Sequence, residues 1–295
     1  MSGSHAHPGG RHRWRLTVAF VLVGGFFLVE LVVGLSSRSL ALLSDAGHMA
    51  ADVVTLAAAL VATKIATRKD ITGRRTYGSY RAEVFASGLA VLLMIGVGVY
   101  IGVEAIGRIG ASPTVASGPM LVVGLIGLVV NLVALVLLRG GAGESLNVRG
   151  AYVEVVADTV GSLGVIAAAL LVRWTGHAWW DTGIAVAIVV FVLLRAVSLG
   201  REVLAVLGQQ APSGVEPTEM IQALKDVPDV TDVHDLHVWT LTSGMDVATA
   251  HLVTTGESAA VLGAAAGVLR ERFSIAHATL QVEGPANPTC EGTDW

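Results

Sequence analysis

Cysteine, charge and nucleotide-binding or protease signatures are all scarce or missing in this chain. Its single cysteine, Cys290, cannot close an intrachain disulfide, so no oxidised, stapled architecture is expected. Only 14% of the 295 residues are charged, against 53% hydrophobic, and the mean hydropathy is +0.68. That balance excludes an ordinary soluble globular domain. There is no GxxxxGK[ST] and no soluble domain large enough to bind a nucleotide, which excludes an ATP-driven pump, and no HExxH, which argues against an intramembrane metalloprotease. The chain is therefore not expected to be an enzyme or to hold a prosthetic group. A net charge of −4 is too small to identify a partner, and no nucleic acid is expected among the partners.

What the chain does have is length of apolar sequence. Runs at 16–34, 40–62, 84–106, 120–138, 155–172 and 182–197 each approach the ~20 residues that cross a ~30 Å hydrocarbon core, so six spans are expected. The first run carries Glu30, shows no clear small-residue cleavage site and leads directly into further spans, so it is read as a retained helix rather than a signal peptide. Basic residues collect before span one (Arg11, Arg13, Arg15), between spans two and three (Lys64, Arg68, Lys69, Arg74, Arg75, Arg81), between four and five (Arg139, Arg149) and after six (Arg201). The opposite loops offer only Arg38, Arg108 and Arg173, which puts both termini in the cytoplasm.

Three regions follow: a mobile tail at 1–14, a six-helix membrane domain at 15–204, and a cytoplasmic domain at 205–295. The tail is polar and Gly-rich, and its His5, His7 and His12 could touch metal loosely. After Leu204 the stretch QQAPSGVEPTE reads as a turn-rich linker. Beyond it the pattern predicts a helix over 216–227, with Met220, Ile221 and Leu224 on one side and Pro217 in the first turn. Strands follow at 230–241 and 246–254 around a Ser243-Gly244 turn, then a helix at 258–273 and a strand at 277–283. The order αββαβ predicts an open-faced α+β sandwich of ferredoxin-like type.

The chemistry sits inside the spans. In DAGHMAADVV, His48 and Asp52 stand four residues apart and share a helix face, with Asp45 one turn earlier on nearly the same side. In GAYVEVVADTVG of span five, Glu154 and Asp158 repeat the spacing. Ionisable groups at membrane depth cost at least a few kcal/mol and usually mark a pathway or a bound ion. Two helices that each offer such a pair can converge four donors on one dication, which neutralises the carboxylates, and a tetrahedral nitrogen and oxygen set suits Zn²⁺. The bland alternative is that these acids face the cytoplasmic interface and are merely solvated. Glu30 and Asn131 are weaker signals, as readily explained by interhelical hydrogen bonds. Glycines at 24, 25, 34, 47, 161 and 164 permit close helix approach. In the cytoplasmic strands, plain alternation places His234 and Leu236 on one face and Asp235 and His237 on the other, so His234 and His237 should not share a site. Trp239 is expected to serve packing or a dimer contact.

These stretches, SLALLSDAGHMAADVV, TYGSYRAEV, LNVRGAYVEVVADTVGSLGVI and VHDLHVWTLTSG, together resemble the cation diffusion facilitators, particularly their zinc-transporting branch, over about residues 15–283. The resemblance implies a homodimeric, six-span antiporter of a bacterial inner membrane that exports Zn²⁺, or a similar ion such as Cd²⁺, Co²⁺, Mn²⁺ or Fe²⁺, in exchange for protons. It implies transport ligands at His48 and Asp52 and at a second HxxxD in span five, where this chain has Glu154 in place of histidine, followed by Asp158. An anionic oxygen donor there shifts preference toward harder ions, while the remaining imidazole still suits Zn²⁺, Fe²⁺ or Co²⁺. The loop RGGAGESLN lacks the His-rich insertion common in that branch, and the 66–80 loop lacks histidine, so no metal site is expected in the latter. The resemblance further implies a metallochaperone-like cytoplasmic domain that binds regulatory metal near the dimer contact through His234, His251, His277 and Glu283, with Cys290 standing for the first of two tail cysteines and the second missing. A membrane-bound metal sensor that binds without transporting is the alternative of a different class.

Overall fold

A computed structural model describes residues 13–65, 74, 76–78, 80–110, 114–139, 146–242 and 244–285. They fall into two compact units, one within Met1–Gly200 and one within Arg201–Trp295. The N-terminal histidines, most of the loops at 66–80 and 139–147, Ser243 and Cys290 lie outside the described residues.

The first unit is built from long helices: α1 (Arg13–Ser37), α2 (Leu40–Ile65), α3 (Arg81–Gly107), α4 (Ser117–Arg139), α5 (Leu146–Thr175) and α6 (Trp179–Leu207). The shortest has 23 residues and the longest 30, so each can cross a bilayer core of ~30 Å. Among the described residues α1, α3, α4, α5 and α6 carry windows apolar enough to span. The sixth spanning helix is α2, 26 residues long, whose apolar run is interrupted by the ionisable side chains of Asp45, His48 and Asp52.

Every expected span lies inside one helix, and the helices outlast the apolar runs. α5 starts at Leu146 rather than near 155, which puts Glu154 well within the helix. α6 runs to Leu207, so the expected domain boundary at 204/205 falls inside it. Arg201 and Glu202 are good helix formers and continue the backbone past the end of the apolar run.

α4 packs against α5 and α1, while α2 packs against α1, α3 and α5. Val23, Phe26, Leu42, Met49, Ile101, Met120, Val165 and Val189 fill the interior. Leu92, Val103, Val129 and Leu194 point outward and are exposed, as a hydrocarbon surround permits. Among the glycines that set helix spacing, a Cβ at Gly47 would run into Val97 of α3, and one at Gly161 would lie 2.5 Å from Asp45 Oδ1. Gly25 meets nothing within 4 Å and has no such role.

The second unit follows the expected αββαβ order: α7 (Pro217–Lys225), β1 (Val230–Thr242), β2 (Met245–Thr254), α8 (Ser258–Phe273) and β3 (His277–Glu283). Pro217 opens α7, where its missing N–H costs nothing. β1 pairs antiparallel with β2, and β2 pairs parallel with β3 through the α8 crossover, giving the sheet order β1-β2-β3. Met220 and Leu224 of α7, together with Val261, Ala265 and Leu269 of α8, pack on Val233, Val238, Ala248, Ala250 and Leu252 of the sheet.

The simple alternation expected of β1 is interrupted. His234 pairs with His251 and His237 pairs with Thr249, so three steps on β1 match two on β2. The extra residue is a β-bulge, and Asp235 adopts φ +52° within it. Since directly paired residues share a face, His237 is turned onto the same side as His234, contrary to plain alternation.

Candidate metal centre

α2 and α5 each turn one polar face inward at the same level. His48 is 2% exposed, Asp52 5% and Asp158 2%, so three ionisable groups are withdrawn from solvent together. His48 Nε2 lies 3.5 Å from Asp52 Oδ2, one helical turn away, and 3.3 Å from Asp158 Oδ1 on the neighbouring helix. One donor atom from each of the three lies within 4.8 Å of the others, close enough to share one ion. Asp158 Oδ1 receives no hydrogen bond among the described residues, as expected of an oxygen reserved for a cation.

Glu154, the fourth expected donor, is at the edge of this set and not in it. Its Oε2 pairs with Arg195 Nη2 of α6, and Arg195 Nη1 is also 3.2 Å from His48 Nε2. Phe191, one turn before Arg195 on α6, meets the His48 ring edge-on at 6.4 Å. Sequence reasoning assigned no role to Arg195, although it lies within the sixth apolar run. The signal was available: a cation inside a span requires an anion, and Glu154 is the anion that the resemblance does not expect.

The polar interior continues beyond these three donors. Glu30 of α1 and Asp45 of α2 are within hydrogen-bond reach of each other, 1% and 2% exposed. Asn131 of α4 donates to Ser162 Oγ of α5 at 3.2 Å, the interhelical bond expected for that residue.

A second residue missed in the sequence anchors the end of α2. Asp181 is fully buried at the start of α6 and accepts from Ser39 Oγ at 2.6 Å and from the backbone N–H groups of Leu40 at 2.8 Å and Ala41 at 3.2 Å. These are orphan donors of the first turn of α2, capped here from another helix. Arg108, just past α3, adds a 3.3 Å ion pair to Asp181 and donates to Arg38 O at 2.9 Å.

In the cytoplasmic unit a second three-donor cluster forms on the sheet face opposite α7 and α8. His234, His251 and Glu283 come from three adjacent strands and bring one donor atom each within 4.8 Å. His251 Nδ1 lies 3.0 Å and His234 Nε2 3.7 Å from the Glu283 carboxylate. His234 Nε2 is buried without a hydrogen-bond partner among the described residues, which fits a metal-directed nitrogen. Asp235, re-aimed by the bulge, sits 3.0 Å from His237 Nε2 and 3.7 Å from His251 Nε2. His277 is not part of the cluster: it pairs with Val247 at the start of β3, six residues and roughly 20 Å of strand from Glu283. At the edge of this unit the 2.8 Å hydrogen bond from Lys225 holds the Asp232 carboxyl below its usual range.

Comparison with known proteins bears on both units. The family described as the cation efflux transmembrane domain matches residues 16–207, and the cation efflux protein cytoplasmic domain matches residues 212–285. The chain is 43% identical over 283 residues to the metal cation efflux system protein CzcD of Cupriavidus metallidurans, covering 95% of this chain and 89% of that one. It is 35% identical over 294 residues to a cadmium, cobalt and zinc/H(+)-K(+) antiporter of Bacillus velezensis, covering 97% and 93%. To the zinc transporter ZitB of Escherichia coli it is 34% identical over 303 residues, covering 100% and 95%.

Proposed function

The chain belongs to the cation efflux family of integral membrane metal transporters, and from that premise we propose that it is a proton-coupled antiporter that exports Zn²⁺, and related dications such as Cd²⁺ and Co²⁺, from the cytoplasm. The observation that carries the reading is the convergence of His48, Asp52 and Asp158 from two buried helices within 4.8 Å. One imidazole and two carboxylates suit Zn²⁺ and its neighbours, and the dication makes the buried carboxylates tolerable in hydrocarbon.

Coupling follows from the chemistry of the donors. Imidazole and carboxylate bind metal only when deprotonated, so loading on the neutral cytoplasmic side releases protons. Facing a more acidic exterior, the same groups take up protons and let the ion go. Exposing the one site alternately to each side therefore exchanges metal for protons. The basic residues near Lys64, Arg139 and Arg201 favour cytoplasmic termini in a bacterial inner membrane.

The cytoplasmic unit is read as a regulatory metal site within a homodimer, with His234, His251 and Glu283 as its ligands. Metal held there tightens the pairing of two copies and biases the membrane helices. His277 lies apart from these ligands in the sheet register, and Cys290 lies outside the described residues.

The test is Zn²⁺ flux in proteoliposomes under imposed ΔpH, for the native chain and Asp52→Ala. Uptake that follows ΔpH and falls to background in Asp52→Ala is expected. Flux indifferent to ΔpH refutes the coupling, and undiminished flux in Asp52→Ala refutes the site. Zn²⁺ binding without any flux selects the sensor instead.

A further inference from the structure

Among the described residues Arg195 is the cationic side chain that touches the transport donors. Its Nη1 lies 3.2 Å from His48 Nε2, and its Nη2 is paired with Glu154 Oε2. Nε2 is also the His48 atom facing Asp52 at 3.5 Å and Asp158 at 3.3 Å. A dication bound by these groups needs the lone pair on that nitrogen, and an N–H of the guanidinium aimed at it competes for the same electrons.

Charge arithmetic points the same way. With Asp52, Glu154 and Asp158 ionised and Arg195 protonated, the set carries three negative charges and one positive, a net of two that one dication cancels. An imidazole at position 154 without the arginine gives the same net charge. Glu154 and Arg195 together thus replace a neutral ligand by a charge-neutral pair, although only the carboxylate can bind metal.

Building on the reading of His48, Asp52 and Asp158 as the transport site, we propose that Arg195 is a tethered cation that occupies the empty site and is exchanged for the metal. Without metal the guanidinium holds Glu154 and covers His48 Nε2. An arriving dication displaces it, and Glu154 is freed to become the fourth donor. On release the guanidinium reclaims Glu154 and closes the nitrogen again, which weakens the hold on the ion and shortens its stay. Only ions whose binding outweighs a charge-assisted arginine–carboxylate pair gain entry, so the exchange also filters weakly binding cations.

The experiment measures Zn²⁺ binding by calorimetry and Zn²⁺ transport kinetics on the full chain, with His234→Ala and His251→Ala present throughout to remove the cytoplasmic cluster. Arg195→Gln is expected to bind Zn²⁺ about tenfold or more tightly. Both KM and kcat should fall, because the ion is held longer. Arg195→Lys should shift binding in the same direction but less, since an ammonium cannot bridge His48 and Glu154 at once. With Glu154→Gln in place, the shift caused by Arg195→Gln should shrink below about threefold, because the arginine has lost its anchor.

An unchanged or weakened affinity in an Arg195→Gln protein with native thermal unfolding overturns the proposal, and so does a shift of the same size with and without Glu154. Should Arg195→Gln not fold, Arg195→Lys decides: unchanged KM and kcat overturn the proposal, and a joint fall supports it. Asp52→Ala in the same background separates this inference from the reading beneath it. Loss of binding there combined with no shift in Arg195→Gln removes only the tethered cation, whereas retained binding removes the transport site itself.

Discussion

The membrane cluster and the cytoplasmic cluster each gather three donors within 4.8 Å, yet they are built in opposite ways. In the membrane, His48, Asp52 and Asp158 are nearly inaccessible and stand on two helices, where a four-residue spacing fixes which side chains share a face. In the cytoplasmic unit, His234 and His251 are only half-buried and the donors come from three strands, joined by register. The surroundings differ as well: the buried set has Arg195 against it, while the sheet set draws in Asp235. A site inside hydrocarbon must balance its charge in every state of the cycle, whereas one at a wet sheet face can leave that to water and salt.

The sharpest way to break the comparison is to delete one ligand from each cluster. Asp158→Ala should abolish Zn²⁺ flux in proteoliposomes. His251→Ala should lower Zn²⁺ binding by the cytoplasmic cluster by more than the ~10–100-fold that loss of a supporting partner costs, while flux at saturating Zn²⁺ stays measurable. Equal loss of flux in both would mean that the two clusters are not separate in role.

A smaller effect tests how tightly the membrane set is held. Gly161→Ala places a methyl group 2.5 Å from Asp45 Oδ1 and should destabilise the membrane unit by about 1–3 kcal/mol in thermal unfolding. Gly25→Ala, in open space, should instead be neutral or stabilising by up to about 1 kcal/mol. Matching destabilisation in the two variants contradicts the assigned contact.

The smallest effect belongs to the sheet unit. The Lys225–Asp232 pair is largely exposed, so Lys225→Ala should cost less than about 1 kcal/mol at neutral pH. Because the folded-state carboxyl titrates below its ordinary range, the pair stabilises the protein above that range and the benefit disappears as pH falls through the lowered value. The variant and the native chain should therefore converge in stability in acid, read by denaturant titration at both pH values.

Helical periodicity made much of this molecule legible before any coordinates. Six long apolar runs and two four-residue pairs of ionisable groups require only that residues four apart share a face, and this holds along a regular helix. The αββαβ order was equally readable, since Pro217 and the strict alternation of HATLQVE are local signals. The His234–His237 relationship was not, because alternation fails where a bulge inserts a residue, and nothing local in VHDLHVW announces Asp235 at φ +52°. Glu154 was legible as an ionisable group one turn from Asp158 on a shared face, but its engagement was not: Arg195 is 41 residues away, and pairing across that separation is a tertiary fact. The capping of α2 by Asp181, 140 residues away or more, is illegible for the same reason.

That borrowed cap has a mechanical meaning. By gripping the first turn of α2 from the start of α6, with Arg108 clamped alongside, Asp181 makes one end of these helices a fulcrum. While that knot holds, the first turn of α2 cannot part from the start of α6, so the spacing of these two helices is pinned at this end.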